Sequence, residues 1–81
     1  MKFEGVTQEH IFKAIEHIKK YGYPKNRRSI RHFLEYEGKL YPHKYVLFTA
    51  YKIANGIEPP AFKSKESRPF LRSLGFKIVS K

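Results

Sequence analysis

The chain has 81 residues, with 17 Lys or Arg against 7 acidic residues and a formal net charge of +10. It contains no cysteine, which excludes disulfides and thiolate metal sites and points to a reduced, cytoplasmic setting. No apolar run approaches the ~20 residues of a membrane span, and residues 1–10 lack a signal-peptide core, so a single small domain over residues 1–81 with no membrane partner is expected.

The charge excess is larger than the magnitude of about 2–8 that solubility asks of a small domain. It favours an anionic partner. A chain this short buries a modest core, which leaves little room for a deep pocket beside a full catalytic apparatus.

In chain order, the first predicted element is a helix. Ile11, Ala14, Ile15 and Ile18 recur at i, i+3, i+4 and i+7 and make one apolar stripe. Thr7 suits its N-cap, Glu9 its first turn, and Lys19 and Lys20 its last. Gly22 stops it and Pro24 prevents its resumption. A basic loop follows, Tyr23 to Arg28. Ile30 to Tyr36 alternate as a strand, Glu37-Gly38 reads as a tight turn with Gly38 at positive φ, and Lys39 to Tyr41 return. In a two-residue hairpin Leu34 faces Tyr41 and Glu35 faces Leu40. Ile30, Leu34 and Tyr41 then share one face, and Arg31, Phe33 and Leu40 the other. Both faces are partly apolar, so the pattern does not choose the core face.

Pro42 suits the first turn of a second helix. Val46, Ala50 and Ile53 form its stripe, with Leu47 and Ala54 beside it, and Asn55-Gly56 ends it. Residues 57–63 connect through Pro59-Pro60. Ser67 is expected to cap a short last helix, with Pro69 in its first turn and Gly75 after its end. Phe76 to Val79 reads as a final strand, and Phe3 to Val6 as a further edge. The whole is an α+β fold: a small antiparallel sheet of about three strands with three helices, in the order α-β-β-α-α-β.

Few residues suit catalysis. Glu35 and Glu37 point the same way along a strand, as a carboxylate pair would, or as two solvated charges beside a turn. His10 and His17 are seven apart on a helix, too far for one metal ion. His32 and His43 can approach across the hairpin, but without a neighbouring Asp or Cys they do not make a zinc site. No glycine-rich phosphate loop is present. No cofactor and no catalytic residue is expected.

The basic residues form the stronger constellation. Lys25, Asn26, Arg27 and Arg28 lead into Arg31 on the strand, and Lys39 and Lys44 flank the return strand. Arginine binds phosphate with two parallel hydrogen bonds or reaches guanine in the major groove, and lysine displaces counterions. Tyr23, Tyr36 and Tyr41 suit either base stacking or completion of the core. The segment from Lys63 to Arg68 offers a second contact or a polar loop.

The run from Gly38 to Gly56, GKLYPHKYVLFTAYKIANG, and the ending FLRSLGFKIV resemble the small N-terminal head domain of modification-dependent restriction enzymes of the McrA and McrB kind. The pattern there is a Gly-Lys turn, Tyr-Pro-Pro-Lys opening a helix, an Ala-containing helix ending near Gly, and a Leu-Gly-Phe lead into the last strand. Gly38, Lys39, Tyr41, Pro42, Lys44, Ala50, Gly56, Leu71, Leu74, Gly75 and Phe76 match, and Arg28 and Ser29 fit the usual approach to the first strand. His43 replaces the second proline, and Lys63-Ser64-Lys65 replaces a Gly-Gly loop. Such heads are joined to nuclease or AAA+ motor domains. The resemblance therefore implies a DNA-targeting accessory, for duplex DNA with or without a modified base.

Together these readings nominate Lys25, Asn26, Arg27, Arg28, Ser29, Arg31, Lys39, Tyr41, His43 and Lys44 as nucleic-acid contacts. Two rivals stand beside this reading. One is a protein-docking head using Tyr21, Tyr23 and Phe62. The other is a binder of RNA or single strands, stacking on Tyr36 and Tyr41.

Overall fold

The computed structural model describes residues 3–25 and 31–80. Three helices and three strands follow in the order α1 (Gln8–Tyr21), β1 (His32–Tyr36), β2 (Lys39–Pro42), α2 (His43–Asn55), α3 (Ser64–Ser73) and β3 (Lys77–Ser80). The sheet is antiparallel, in the order β2-β1-β3. This is the α+β arrangement that the apolar periodicities predict.

α1 buries the expected stripe, Ile11, Ala14, Ile15 and Ile18. Its start carries an unusual cap: the Thr7 backbone N–H donates to Nδ1 of His10 at 2.9 Å. A histidine thus does the work that Glu or Gln does in a capping box. β1 and β2 pair in the register expected, Leu34 opposite Tyr41 and Glu35 opposite Leu40. Both turn residues lie at positive φ, Glu37 at 51° and Gly38 at 77°. That is the type I′ geometry whose twist matches a two-residue hairpin.

Packing chooses between the two sheet faces. Leu34, fully buried, and Tyr41 turn towards the helices, with Ile78 of β3 opposite Leu34 on the same face. Phe33, Leu40 and Val79 lie on the open side, where Leu40 is 36% exposed. α2 supplies Val46, Leu47 and Ala50 to the core, α1 packs along it, and α3 adds Leu71.

Several expectations are corrected. Residues 3–5 form a turn and no edge strand; Phe3 and Val6 are buried as core plugs, Phe3 meeting Phe62 and Phe70 at ring-centroid distances of 5.1 and 4.9 Å. Pro42 closes β2 and serves as the N-cap of α2, at φ −66° and ψ 109°. Ile30 lies outside the described residues, and β1 is described from His32.

The largest correction concerns α3. It starts at Ser64, with Lys63 as N-cap, and Pro69 lies inside it. Glu66 sets this start by accepting the Lys63 backbone N–H at 3.0 Å. Lys63 lacks the short polar side chain that marks an N-cap in sequence, so Ser67 was the more conspicuous candidate. Ser67 is instead fully buried and bonded to another helix.

Candidate nucleic-acid interface

Four chain elements end at one corner of the domain. β1 begins there at His32, which pairs with Ser80 at the end of β3. α2 begins there at His43, directly after β2. α3 brings its first turn, through Ser64 and Ser67.

His43 holds the corner together. It is 3% exposed and lies between two serines of α3. The Ser67 hydroxyl donates to the Ser64 carbonyl at 3.1 Å. It must therefore accept from His43 Nδ1–H, 3.1 Å away. Nε2 is then the acceptor, and the Ser64 hydroxyl donates to it at 3.2 Å. Every polar atom of a neutral imidazole is satisfied by this arrangement. Burial, helped by His32, Arg68 and Lys44, depresses its pKa to about 4. A serine and a histidine thus lie at the spacing of a nucleophile and its base. The imidazole is a weak base, however, its far nitrogen meets a hydroxyl where a triad has a carboxylate, and it is closed to a substrate.

His32 and Arg68 lie next to it. The His32 and His43 ring centroids are 6.3 Å apart, the approach foreseen across the hairpin. Arg68 is braced at two points: Nε donates to the Ser64 carbonyl at 3.3 Å, and a terminal nitrogen donates to His32 Nε2 at 3.2 Å. Desolvation and the charges of Arg68, Arg31 and Arg72 lower the pKa of His32. The same three arginines make the corner strongly positive. Among the described residues none of the three pairs with a carboxylate; the ion pairs present join Lys13 to Glu9, Lys19 to Glu16 and Glu37, and Lys77 to Glu35. A guanidinium braced by a carbonyl and an imidazole, and ion-paired to no carboxylate among the described residues, is suited to an external anion.

The nominated residues divide. Arg31 and Lys44 are exposed at or beside this corner. Lys44 also lies over the Phe62 ring, 5.6 Å from its centroid. Lys25 is exposed in the loop that leads towards Arg31. Asn26, Arg27, Arg28 and Ser29 lie outside the described residues. Lys39 sits opposite Tyr36 at the hairpin tip, while Pro42 sits opposite Phe33; at ~3.3 Å per residue the tip is about 10–13 Å from the corner. Tyr41 is 5% exposed with its ring in the core, so it has no face for a base. His43 is a buried strut and makes no surface contact.

The acids and the aromatics also find their places. Glu35, in β1, and Glu37, in the turn after it, are tied to Lys77 and Lys19 at 3.3 and 3.5 Å, each to a separate lysine. Among the described residues no three His, Cys, Asp or Glu gather as metal ligands. Phe62 packs edge-on against Phe3, whereas Tyr21 is 67% and Tyr23 44% exposed.

Arg68 entered the sequence reading only as the end of the basic segment from Lys63, and Arg72 did not enter it. Ser64, Arg68 and Arg72 recur at four-residue spacing, which is one face of a helix. The pair Arg68 and Arg72 shares a face wherever the helix begins, but only a start at Ser64 adds Ser64 to the same row.

The fold and this corner define a small α+β domain whose helix-backed sheet presents a cationic edge with no carboxylate ion pair among the described residues. The chain belongs to the family described as ScoMcrA-like, N-terminal head domain, whose family model matches residues 4–80. It is thus a McrA-like, restriction-related domain, as the Tyr-Pro-x-Lys element and the Leu-Gly-Phe ending imply. No curated protein and no solved structure gives a significant match. No helix among the described residues is long and apolar enough to cross a membrane.

Proposed function

We propose that this domain is a non-catalytic DNA-recognition module of a modification-dependent restriction system, gripping duplex DNA through the arginine corner and the basic loop before it. The observation that carries this reading is the group Arg31, Arg68 and Arg72 around His32, without a carboxylate partner among the described residues. In the parent protein a nuclease or AAA+ motor domain would supply the chemistry, and this head would supply the grip.

Membership of the McrA-like head family supports the DNA reading. So does the net charge of +10. The non-catalytic reading rests on the ion-paired glutamates and on a histidine closed off between two serines. Residues Asn26 to Ser29, in the segment leading into Arg31, extend the proposed contact.

The test is binding to duplex DNA, unmodified and cytosine-methylated, across a salt series. Three neutralised phosphates predict that log K falls by about 2.7 per decade of salt, or about fortyfold between 50 and 200 mM. The double variant Arg68→Ala/Arg72→Ala should flatten that slope by about 1.8 while remaining folded. A preference for the methylated duplex would add modification reading. No binding to either duplex at low salt would overturn the proposal and turn attention to protein docking.

A further inference from the structure

A second feature lies between α1 and α2, outside the arginine corner. It is a concavity of about 260 Å³ lined by His17 of α1 and by Tyr45, Phe48, Thr49, Lys52 and Ile53 of α2. His17, Tyr45 and Phe48 give it rings on both helices. Tyr45 and Phe48 are nearly parallel, at 13° and 5.9 Å between centroids. His17 is joined to Tyr21 at 4.8 Å, and the Tyr23 ring lies 6.4 Å from Tyr45. The titratable lining residues are His17, Lys52 and the phenol of Tyr45, with no carboxylate among them.

We propose that this concavity takes an unpaired nucleobase, from the same nucleic acid whose phosphates occupy the arginine corner. The inference rests on the nucleic-acid reading and adds to it a place where a base is held. Pockets for drug-sized ligands start near ~300 Å³; this one is smaller, suited to a single planar ring system and too small for a docked helix. Flat aromatic walls beside cations are the chemistry that holds a base by stacking while its phosphate is held by charge. In sequence only the short basic segment from Tyr23 to Arg31, with Lys25, Arg27 and Arg28 in it, separates α1 from the corner. The hairpin tyrosines cannot serve instead, because Tyr41 is buried and Tyr36 packs against Phe12 at 5.5 Å.

An unpaired base can come from a single strand or from a base turned out of a duplex. The test uses four probes with the full chain: an eight-nucleotide single strand, the same strand with abasic central positions, a perfect duplex, and that duplex with one bulged base. Affinity is read by anisotropy, and the Thr49 and Ile53 amides are followed by NMR. A stacked base is expected to favour the complete strand over the abasic one, or the bulged duplex over the perfect one, by roughly fivefold to a hundredfold. Thr49 and Ile53 should shift only with the favoured probe, which identifies the source of the base. Tyr45→Ala should remove the preference and leave the abasic affinity unchanged; should that variant unfold, the wild-type shifts decide. Equal affinity within both pairs, or unmoved Thr49 and Ile53, would overturn the inference while leaving phosphate binding intact. Failure of all four probes to bind would instead overturn the nucleic-acid reading, and this inference with it.

Discussion

Acidification should weaken the fold through His43, and the size of the effect follows from the site. The imidazole has an ordinary pKa of 6.5 in the unfolded chain and about 4 in the folded one. As pH falls through 6.5 the unfolded chain takes up a proton that the folded chain refuses until about pH 4. Stability therefore rises with pH across this window and is lost as pH falls. A gap of two to three pKa units at 1.36 kcal/mol each corresponds to about 3 kcal/mol. A chain of this size holds about 4–12 kcal/mol in all, so the loss is a large share. His32, also lowered, acts in the same direction. The assay is urea denaturation at closely spaced pH values between 7 and 4, for the wild type and His43→Asn. The variant will be less stable at pH 7, because the bonds to Ser64 and Ser67 are disturbed, but its curve should be flatter by roughly one kcal/mol per pH unit. Parallel pH curves for the two proteins, or a folded-state His43 that titrates by NMR near 6.5, would refute the reasoning.

Other outcomes follow from the geometry. Leu34→Ala should cost about 3 kcal/mol by urea unfolding, and Leu40→Ala under about 1, because only Leu34 lies fully in the core. Gly38→Val should destabilise by about 2 kcal/mol with no steric clash; a Cβ there meets nothing within 4 Å, so the strain is that of the positive φ alone. Tyr41→Phe should be neutral or stabilising by up to ~1 kcal/mol, since its buried hydroxyl has no hydrogen-bond partner among the described residues. Lys39→Ala should leave duplex affinity within about twofold, whereas Arg72→Ala should lower the salt slope by about 0.9, both read from binding isotherms.

The local elements were legible because their signals are local. The α1 stripe, the Glu37-Gly38 turn and the stop at Gly56 each depend on residues within a few positions of one another, so periodicity and turn chemistry suffice. The hairpin register followed from the turn length. The family was legible from the Tyr-Pro-x-Lys element and the Leu-Gly-Phe ending. The basic character of the corner was legible from charge, Arg31 included.

Tertiary structure decided the rest. Phe33 and Leu40 are as apolar as Leu34 and Tyr41, so the core face depended on which side the helices cover. The start of α3 was set by Glu66 and by the demand of His43 for two hydroxyls, which drew Ser67 into the interior. Lys39 and Lys44 flank one short strand, yet antiparallel pairing carries Lys39 to the hairpin tip and leaves Lys44 at the corner. Arg68 and Arg72, far along the chain, arrive beside His32 only because α3 packs there. Charge is a property of composition; its concentration at one corner is a property of packing, because side chains distant in sequence meet only where buried faces bring their backbones together.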